Sequence, residues 1–487
     1  MIALEGAAAR AAKGKFGVRS VVRLAWPAVL SYLLANAYRI NDQYWLQGLG
    51  PDAQAAVGGT VFVVIMNFSL VFLAAGGTLA LVARATGAGD SKRRDALIAS
   101  ALALAGALWL VLACIGFFAT SHIVAFLGLR DAAAVFATDY LRTLYVCALP
   151  LVIAPALDHA LIGMGNTLVM SMMELCAVAL HYFLAPILIY GEQASRLSDH
   201  PGAQLAGRIA GFLGLEGHGI VGAAWSAALS RALSISLGLY VMRRRYGVRL
   251  LSGFAHARRL GGRALFALEI ARISLPMCLS IATYASVYWA LIKWVVVPLG
   301  NDALAALGIG FAVFEGVSFP IYFGVAMSGA SLVGRALGAG NTADALAAVR
   351  SVRILALALG SLTMVVFLTC AQRWADAFSP DPGVQREVAG YVFVLAFSQI
   401  FVAMESANEK VLLGAGYTRP ALWVSLLGNG LRVPLAWLLA SHWAMGAHGV
   451  WWAINATSFL KCSLQFTLVQ RRRWLPIHPP IASHAQA

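Results

Sequence analysis

Long apolar runs alternate with short polar or glycine- and proline-rich breaks along almost the whole chain. The run from Ala101 to Thr120, for example, contains twenty residues and no charged side chain. A helix of about 20 apolar residues crosses the ~30 Å hydrocarbon core of a bilayer. The pattern predicts twelve membrane-spanning helices, at residues 20–46, 55–83, 96–120, 133–157, 167–190, 219–242, 268–297, 303–333, 346–371, 385–409, 419–440 and 448–470.

The chain is also a tandem repeat, because three short motifs recur at a nearly constant distance. Residues 81–90 match 332–341, residues 49–58 match 299–308, and residues 163–167 match 414–418, at offsets of 250 or 251. Six predicted spans fall in each half. Since six is even, both halves enter the membrane from the same side, which makes the repeats parallel.

Composition supports this architecture and defines its parts. Hydrophobic residues make up 60% of the chain and charged residues 12%, whereas about a quarter of the residues of a soluble domain are charged. We therefore predict an all-α polytopic membrane protein with twelve transmembrane helices in two six-helix lobes. The predicted parts are a tail (1–19), an N-lobe (20–242), a basic linker (243–267), a C-lobe (268–470) and a second tail (471–487).

Lysine and arginine are distributed unevenly over the loops between the spans. Of the 36 such residues, 25 fall in the tails and the loops of one side, and five fall in loops of the other side. Positively charged loops remain cytoplasmic, so both termini and the linker are predicted to be cytoplasmic. The net charge of +15 is interpreted as this topology signal, and no nucleic-acid partner is expected.

Motifs for catalysis or cofactor binding are missing from the sequence. The six cysteines lie singly, with no CxxC pair, which disfavours a disulfide framework or a zinc site. No HExxH, GxSxG or Walker motif occurs, and the two Gly-Ala-Gly segments resemble tight turns rather than nucleotide loops. We expect neither an enzyme nor a bound cofactor.

The repeated motifs resemble those of multidrug and toxic compound extrusion (MATE) antiporters, whose superfamily also contains polysaccharide and lipid flippases. The matching features are Pro27 in span 1, Asn41-Asp42 seven residues before Leu49-Gly-Pro-Asp-Ala, both Gly-Ala-Gly turns, a Gly-x-Gly-x-Thr motif before spans 5 and 11, and Leu431-Arg-Val-Pro-Leu-Ala436. The resemblance covers about residues 20–470.

This resemblance implies a function and a location. It implies a central cavity between two lobes and the cation-driven export of amphipathic, often cationic, organic compounds. We accordingly expect a monomer in the plasma membrane, the inner membrane of a bacterium, whose partners are small organic cations or amphipathic compounds and membrane lipids. The alternative is a flippase for lipid-linked oligosaccharide or lipid, whose cavity would need basic groups such as Arg39, Lys293 and Arg432 for a pyrophosphate.

Asp42 is the main candidate for ion coupling. An acid in an apolar span costs about 2.5–3.5 kcal/mol on insertion scales, so it is a functional candidate by default. A structural ion pair with Arg39, three residues earlier, is the alternative. The resemblance implies a second N-lobe position at His181, which could share or relay a proton because histidine changes charge near neutral pH, or could simply form hydrogen bonds. Asn41 completes the predicted coupling site.

Other carboxylates expected from the resemblance are replaced here. Ala185 stands where one branch of the family has a second N-lobe acid, and Tyr284 stands where another branch has a glutamate in span 7. Hard cations such as Na⁺ prefer several oxygen ligands, so a proton is favoured over Na⁺ as the coupling ion.

Polar and aromatic residues of the central spans are candidates for the substrate cavity. Glu315 could pair with Lys293 or line the cavity. Glu405 is favoured over Glu409, because Lys410 lies next to Glu409. Aromatic rings could hold an organic cation or serve only as packing. The cavity candidates are Asn36, Tyr38, Arg39, Tyr284, Tyr288, Lys293, Glu315 and Glu405, and the helix hinges are Pro27 and Pro276.

Overall fold

The computed structural model describes residues 16–197, 201–259, 263–378 and 380–475. These residues form helices joined by short turns, which confirms the all-α class. The helices of the first half are α1 (Val18–Leu46), α2 (Pro51–Gly59), α3 (Val61–Gly87), α4 (Ser91–Phe126), α5 (Asp131–Cys147), α6 (Leu149–Gly163), α7 (Thr167–Tyr190), α8 (Ala194–Leu197), α9 (Pro201–Leu213) and α10 (Gly219–Tyr246).

After a short helix that lies in the predicted linker, the second half repeats the order of the first, except that α8 and α9 have no counterpart among its described residues. Its helices are α11 (Leu250–Arg259), α12 (Arg263–Leu291), α13 (Asn301–Ile309), α14 (Gly316–Gly338), α15 (Thr342–Phe378), α16 (Pro382–Ala396), α17 (Ser398–Gly414), α18 (Arg419–Trp437) and α19 (Ala447–Gln470). Three π-helical turns, at Ile292–Val296, Gly310–Glu315 and Leu438–His442, interrupt the spans of this half.

Helices occupy all twelve predicted spans. Within the described ranges, nine helices are long and apolar enough to cross a membrane, and two further spans are helix pairs bent by 54° (α5 with α6) and 51° (α16 with α17). The twelfth span is α19, which is 24 residues long but contains polar side chains such as Asn455 and Lys461. The bent fourth and tenth spans correspond to each other in the repeat.

The two predicted hinge prolines share one local structure. Pro27 lies inside α1 and Pro276 inside α12. The hydroxyl of Ser31 donates to the carbonyl of Pro27 at 3.0 Å, and the hydroxyl of Ser280 donates to that of Pro276 at the same distance. A proline removes one helical hydrogen bond, and a serine bonded to the carbonyl four residues earlier often bends a helix. Both effects favour bending at equivalent points of the two lobes.

The lobes contact each other through α1 and α3 of the first half and α12 and α14 of the second. Glycines bring these backbones together. A Cβ atom on Gly87 would overlap the carbonyl of Arg335, and one on Gly338 would overlap the carbonyl of Arg84. Only glycine permits so close an approach. The lobes are therefore tightly packed on the side that holds both Gly-Ala-Gly turns, which we call the turn side.

Two arginines hold this contact in a reciprocal way. Arg84 of the N-lobe donates to the carbonyl of Ala415 in the C-lobe. Arg335, its repeat equivalent, extends from the C-lobe to lie against Gly165 of the N-lobe. Since 84 and 335 differ by the repeat offset of 251, as do 165 and 416, the two contacts are related by the internal symmetry. They link the lobes at two points of the turn side.

Substitution at these glycines should open the turn side. We expect Gly87→Ala or Gly338→Ala to disfavour the packed state by about 1–3 kcal/mol, as overpacking does, which shifts a two-state equilibrium by roughly fivefold to 150-fold. A cysteine placed at Ser331, which is fully buried at the interface, should then react faster with an impermeant thiol reagent, in a background without the six native cysteines. Gly106→Ala is the matched control, because a Cβ there meets open space. Equal labelling of all three variants would contradict the close-packing account.

Candidate functional site

Asp42 lies near the end of α1, and its closest described partner is His181 of α7. His181 Nε2 is 3.1 Å from Asp42 Oδ1, in electrostatic contact but without the alignment of a hydrogen bond. The His181 side chain is completely buried, whereas 17% of the Asp42 side chain is exposed. The carboxyl is thus the accessible member of the pair.

The hydrogen bonds of Asn41 determine the tautomer of His181. The indole N–H of Trp45, which can only donate, bonds to Asn41 Oδ1 at 3.0 Å. The amide nitrogen of Asn41 therefore faces His181 Nδ1, at 2.8 Å, and donates to it. A ring nitrogen that accepts carries no proton, so the neutral imidazole has its proton on Nε2. His181 therefore places its Nε2–H close to Asp42, although the contact is not aligned as a hydrogen bond.

Tyr38 fixes the orientation of the imidazole ring from the other side. Its ring stacks on His181 with centroids 3.9 Å apart and an interplanar angle of 14°. Its hydroxyl donates to the carbonyl of Ala227 at 3.0 Å and lies 2.9 Å from the hydroxyl of Ser230, both on α10. Tyr38, a predicted cavity residue, thus holds α1, α7 and α10 together around the histidine.

A second group of charges lies next to this site. The Arg231 guanidinium is 5.5 Å from the centroid of the Tyr38 ring and forms an ion pair with Glu174 of α7. Asp158 of α6 interacts electrostatically with both Glu174 and Arg231, and Tyr32 of α1 interacts with both carboxyls. The polar residues therefore continue from Asp42 toward the end of α6 at the turn side.

Sequence reasoning did not assign a role to Asp158, Glu174 or Arg231. The signal was present, since Glu174 and Arg231 lie inside predicted spans 5 and 6, where an ionisable residue is a functional candidate. Asp158 lies one residue beyond predicted span 4 and so was counted outside the membrane, whereas α6 extends to Gly163.

The C-lobe has its own polar group, in which each described acid has a nearby cation. Glu405 forms an ion pair with Lys461 at 2.7 Å. Arg432 donates from Nη1 to the hydroxyl of Tyr288 at 2.9 Å and from Nε to the hydroxyl of Thr457 at 3.0 Å. These contacts join α17, α18 and α19 with α12.

Of the two alternatives for Glu315, the ion pair with Lys293 is not formed in the described part of the chain. Glu315 Oε1 accepts from the hydroxyl of Tyr391 at 3.4 Å, and Arg432 is the cation that interacts electrostatically with it. Lys293 Nζ lies 4.9 Å from the centroid of the Trp289 ring instead. The reason is the π-helical turns at residues 292–296 and 310–315, which change the direction of side chains relative to a regular helix. The adjacent pair Lys410 and Glu409 is formed as expected, at 2.9 Å.

The remaining predicted residues fall into three cases. Asn36 donates across the lobe interface to the carbonyl of Gly316 at 3.1 Å. The rings of Tyr284 and Tyr288 contact each other with centroids 4.6 Å apart, so they belong to the polar group of the C-lobe. The side chain of Arg39, and with it the alternative ion pair with Asp42, lies outside the described part of the chain.

The two lobes differ in charge balance. We call the N-lobe cluster the set Tyr38, Asn41, Asp42, Asp158, Glu174, His181 and Arg231, and the C-lobe cluster the set Tyr284, Tyr288, Glu315, Tyr391, Glu405, Arg432 and Lys461. The N-lobe cluster has three carboxyls and one guanidinium, with a neutral histidine; the C-lobe cluster has two carboxyls and two cations. Among the described side chains, carboxyls therefore outnumber cations in the N-lobe cluster and not in the C-lobe cluster.

Three comparisons place the chain among known proteins. The probable multidrug resistance protein NorM of Thermotoga maritima is 23% identical over 460 residues, which cover 94% of this chain and 93% of that protein. The FAD transporter of Shewanella oneidensis is 25% identical over 460 residues, 93% of this chain and 94% of that protein. A crystal structure of MATE in the bent conformation has the same fold, with a TM-score of 0.81 at 20% identity over 94% of this chain and 98% of that one.

The family model MatE matches the chain twice, once in each half. The matched residues are 27–187 and 276–438, so each match includes the first five spans of one repeat. This confirms both the internal duplication and the resemblance of the repeated motifs, and the chain belongs to the MatE family of membrane transporters.

Proposed function

We propose that this transporter is a proton-coupled antiporter that exports amphipathic or cationic organic compounds, with Asp42 as the carboxyl that exchanges the proton. The observation that carries the proposal is the setting of Asp42 in the N-lobe cluster: a partly exposed carboxyl lies 3.1 Å from Nε2 of a buried histidine whose ring orientation and tautomer are set by Asn41 and Trp45. In this proposal Asp42 exchanges the proton, while hydrogen bonds hold the neighbouring side chains of Asn41 and His181 in place.

The donor set around Asp42 favours a proton over Na⁺. His181 presents an N–H rather than an oxygen, and the side-chain oxygen of Asn41 already accepts from Trp45. A hard cation prefers several oxygen ligands in an open site, whereas a proton needs one carboxyl. Asp42 therefore suits a proton better than Na⁺.

Charge excess gives the proposed exchange a physical basis. Carboxyls in an apolar bundle are costly when ionised and unpaired, so the N-lobe cluster is favoured when it holds a positive charge. A proton on Asp42 supplies that charge in one state and a cationic substrate supplies it in the other. The two ligands then compete, and antiport follows if each binds the two orientations of the lobes with different affinity.

The lobe interface provides the proposed conformational change. With both termini cytoplasmic, as the lysine and arginine distribution predicts, the glycine packing of the turn side closes the path to the cytoplasm. Separation of Gly87 and Gly338 from the facing carbonyls, with bending at Pro27 and Pro276, would open that path. We infer that a proton enters Asp42 from the outside and is released after this rearrangement.

The flippase alternative is less well supported by the described cations. Arg432 is bonded to Tyr288 and Thr457, and Lys461 is paired with Glu405. Binding a pyrophosphate there would leave those partners unpaired, which is costly in a buried site. Carboxyls in excess also repel such an anion.

Replacing the carboxyl is the direct test of the proposal. We expect Asp42→Asn to insert and fold normally but to lose the accumulation of an organic cation such as ethidium in proteoliposomes with an imposed pH gradient, by at least about tenfold. The amide cannot exchange a proton at physiological pH. Asp139→Asn is the matched control, because Asp139 is an exposed acid of α5, and it should transport normally. A full substrate gradient built by the Asp42 variant would refute the assignment.

The role of His181 as a fixed donor predicts a shift in the pH profile. His181→Gln keeps an N–H that can face Asp42, whereas His181→Leu removes it. An aligned hydrogen bond to a charged group contributes about 1.5–3 kcal/mol, so this unaligned contact contributes at most about the lower figure, and ~1.36 kcal/mol corresponds to one pH unit. Loss of the donor favours the protonated carboxyl, so we expect the pH of half-maximal transport to rise by about one unit in the leucine variant and to change less in the glutamine variant. A shift to lower pH, or an equal loss of transport in both variants, would instead indicate that the histidine relays the proton.

A further inference from the structure

A groove of about 450 Å³ lies on the C-lobe, and none of its lining residues belongs to either polar cluster. Helices α15 and α19 form its walls, and Met404 of α17 lies at its base. Both wall helices pack against α17, which leaves the space between them open. Its lining residues are Leu346, Val349, Arg350, Arg353, Ile354, Leu357, Met404, Phe466, Val469, Gln470, Arg472 and Trp474.

One end of the groove is basic. Arg350 and Arg472 are exposed there, and Arg353 also lines the groove. Arg353 is held in place, because its Nε donates to Asn408 Oδ1 at 2.8 Å and its guanidinium lies 4.2 Å from the centroid of the Phe466 ring. The lining contains three guanidinium groups and no carboxylate, so this end attracts an anion.

The other end of the groove is apolar and faces outward. Ile354 and Leu357 are 48% and 47% exposed, and they follow Arg350 at the i+4 and i+7 positions of α15, on one face of the helix. At 1.5 Å per residue, this face changes from basic to apolar over about 10 Å. Since α15 begins directly after the Gly338-Ala-Gly340 turn, the basic end lies toward the turn side and the apolar end lies deeper in the membrane.

The chain after α19 folds back to close the basic end. Arg472 has a positive φ of 54°, a conformation that non-glycine residues seldom adopt and that is retained where the surrounding contacts fix it. The indole N–H of Trp474 donates to the carbonyl of Val469 at 2.8 Å, and the Trp474 side chain is buried. This turn carries Arg472 to the rim of the groove.

We propose that the groove binds one anionic phospholipid from the leaflet on the turn side. Its phosphate would lie between Arg350 and Arg472, and one acyl chain would follow Ile354 and Leu357. Basic pockets between transmembrane helices bind anionic headgroups in this way. A soluble anion makes no use of the apolar wall and a zwitterionic lipid offers the guanidinium groups less net charge, so an anionic lipid fits the groove best. The site is independent of the proposed proton exchange.

The test counts lipid molecules retained by the purified full-length protein in detergent, by native mass spectrometry. The probes are dioleoyl phosphatidylglycerol, dioleoyl phosphatidylcholine and inorganic phosphate. We expect one phosphatidylglycerol bound more tightly than the others. Each basic residue near an anionic headgroup contributes about a factor of five, so Arg350→Gln with Arg472→Gln should weaken this binding about 25-fold. The control variant, Arg243→Gln with Arg244→Gln, removes the same charge from exposed positions of α10. Its affinity for phosphatidylglycerol should stay within about twofold of that of the unmodified protein.

A second variant separates a defined site from general attraction between charges. Ile354→Trp keeps every arginine but fills the apolar part of the groove, so it should also weaken phosphatidylglycerol binding. The exposed position makes the change compatible with folding. Binding unaffected by either change in the groove, equal loss in the Arg243 and Arg244 control, or equal retention of phosphatidylcholine would overturn the proposal. If inorganic phosphate displaced phosphatidylglycerol at equal concentration, the site would be one for free anions and not for lipid.

Discussion

An excess of carboxyls inside an apolar helical bundle is the constraint on which the rest of this structure depends. In the N-lobe cluster, Asp42, Asp158 and Glu174 share one described cation, Arg231. Ionised groups of this kind are unfavourable in a membrane unless a positive charge compensates them. The surrounding residues reflect this constraint, since Tyr38 and Asn41 fix the histidine that faces Asp42. The side chains of the N-lobe cluster are thus held in position by hydrogen bonds and ring contacts, while its described carboxyls outnumber its cations. This combination suits the proposed exchange of a positive charge.

The scaffold is symmetric while the charges are not. Glycines at equivalent positions bring the lobes together, Arg84 and Arg335 make reciprocal contacts, and Pro27 and Pro276 carry the same serine hydrogen bond. These features follow from the duplication and suit the movement of the two lobes that we propose. The ionisable residues differ between the lobes: Glu405 and Lys461 neutralise each other in the C-lobe. Gene duplication thus accounts for the symmetric glycine contacts, arginine contacts and proline bends, and divergence of a few buried side chains accounts for the proposed proton exchange.

Much of the fold could be predicted from the sequence, because membrane spans and repeats are encoded locally. The spans follow from hydropathy. Hydropathy does not reveal the interruption near Thr60 or the π-helical turns. These features interrupt individual helices, but they do not change the number of spans. The candidate site was predicted less completely. Asp42 is a candidate from the sequence because an acid in an apolar span is conspicuous, whereas the hydrogen bond from Trp45 to Asn41 on the same helix was not predicted. The partners of Glu315 and Glu405 lie on other helices, so they depend on helix rotation and register, which a single sequence does not specify.

Coupling of substrate movement to protons through the N-lobe cluster is the central claim, and the choice of driving ion tests it most directly. Purified protein in liposomes would be given a proton gradient without sodium, and then a sodium gradient at equal pH on both sides, while the movement of a fluorescent organic cation is followed. The account predicts uphill movement with the proton gradient alone and none with the sodium gradient alone. The account would be contradicted if the sodium gradient moved the organic cation and the pH gradient did not. That result would require an oxygen-rich cation site other than the one around Asp42.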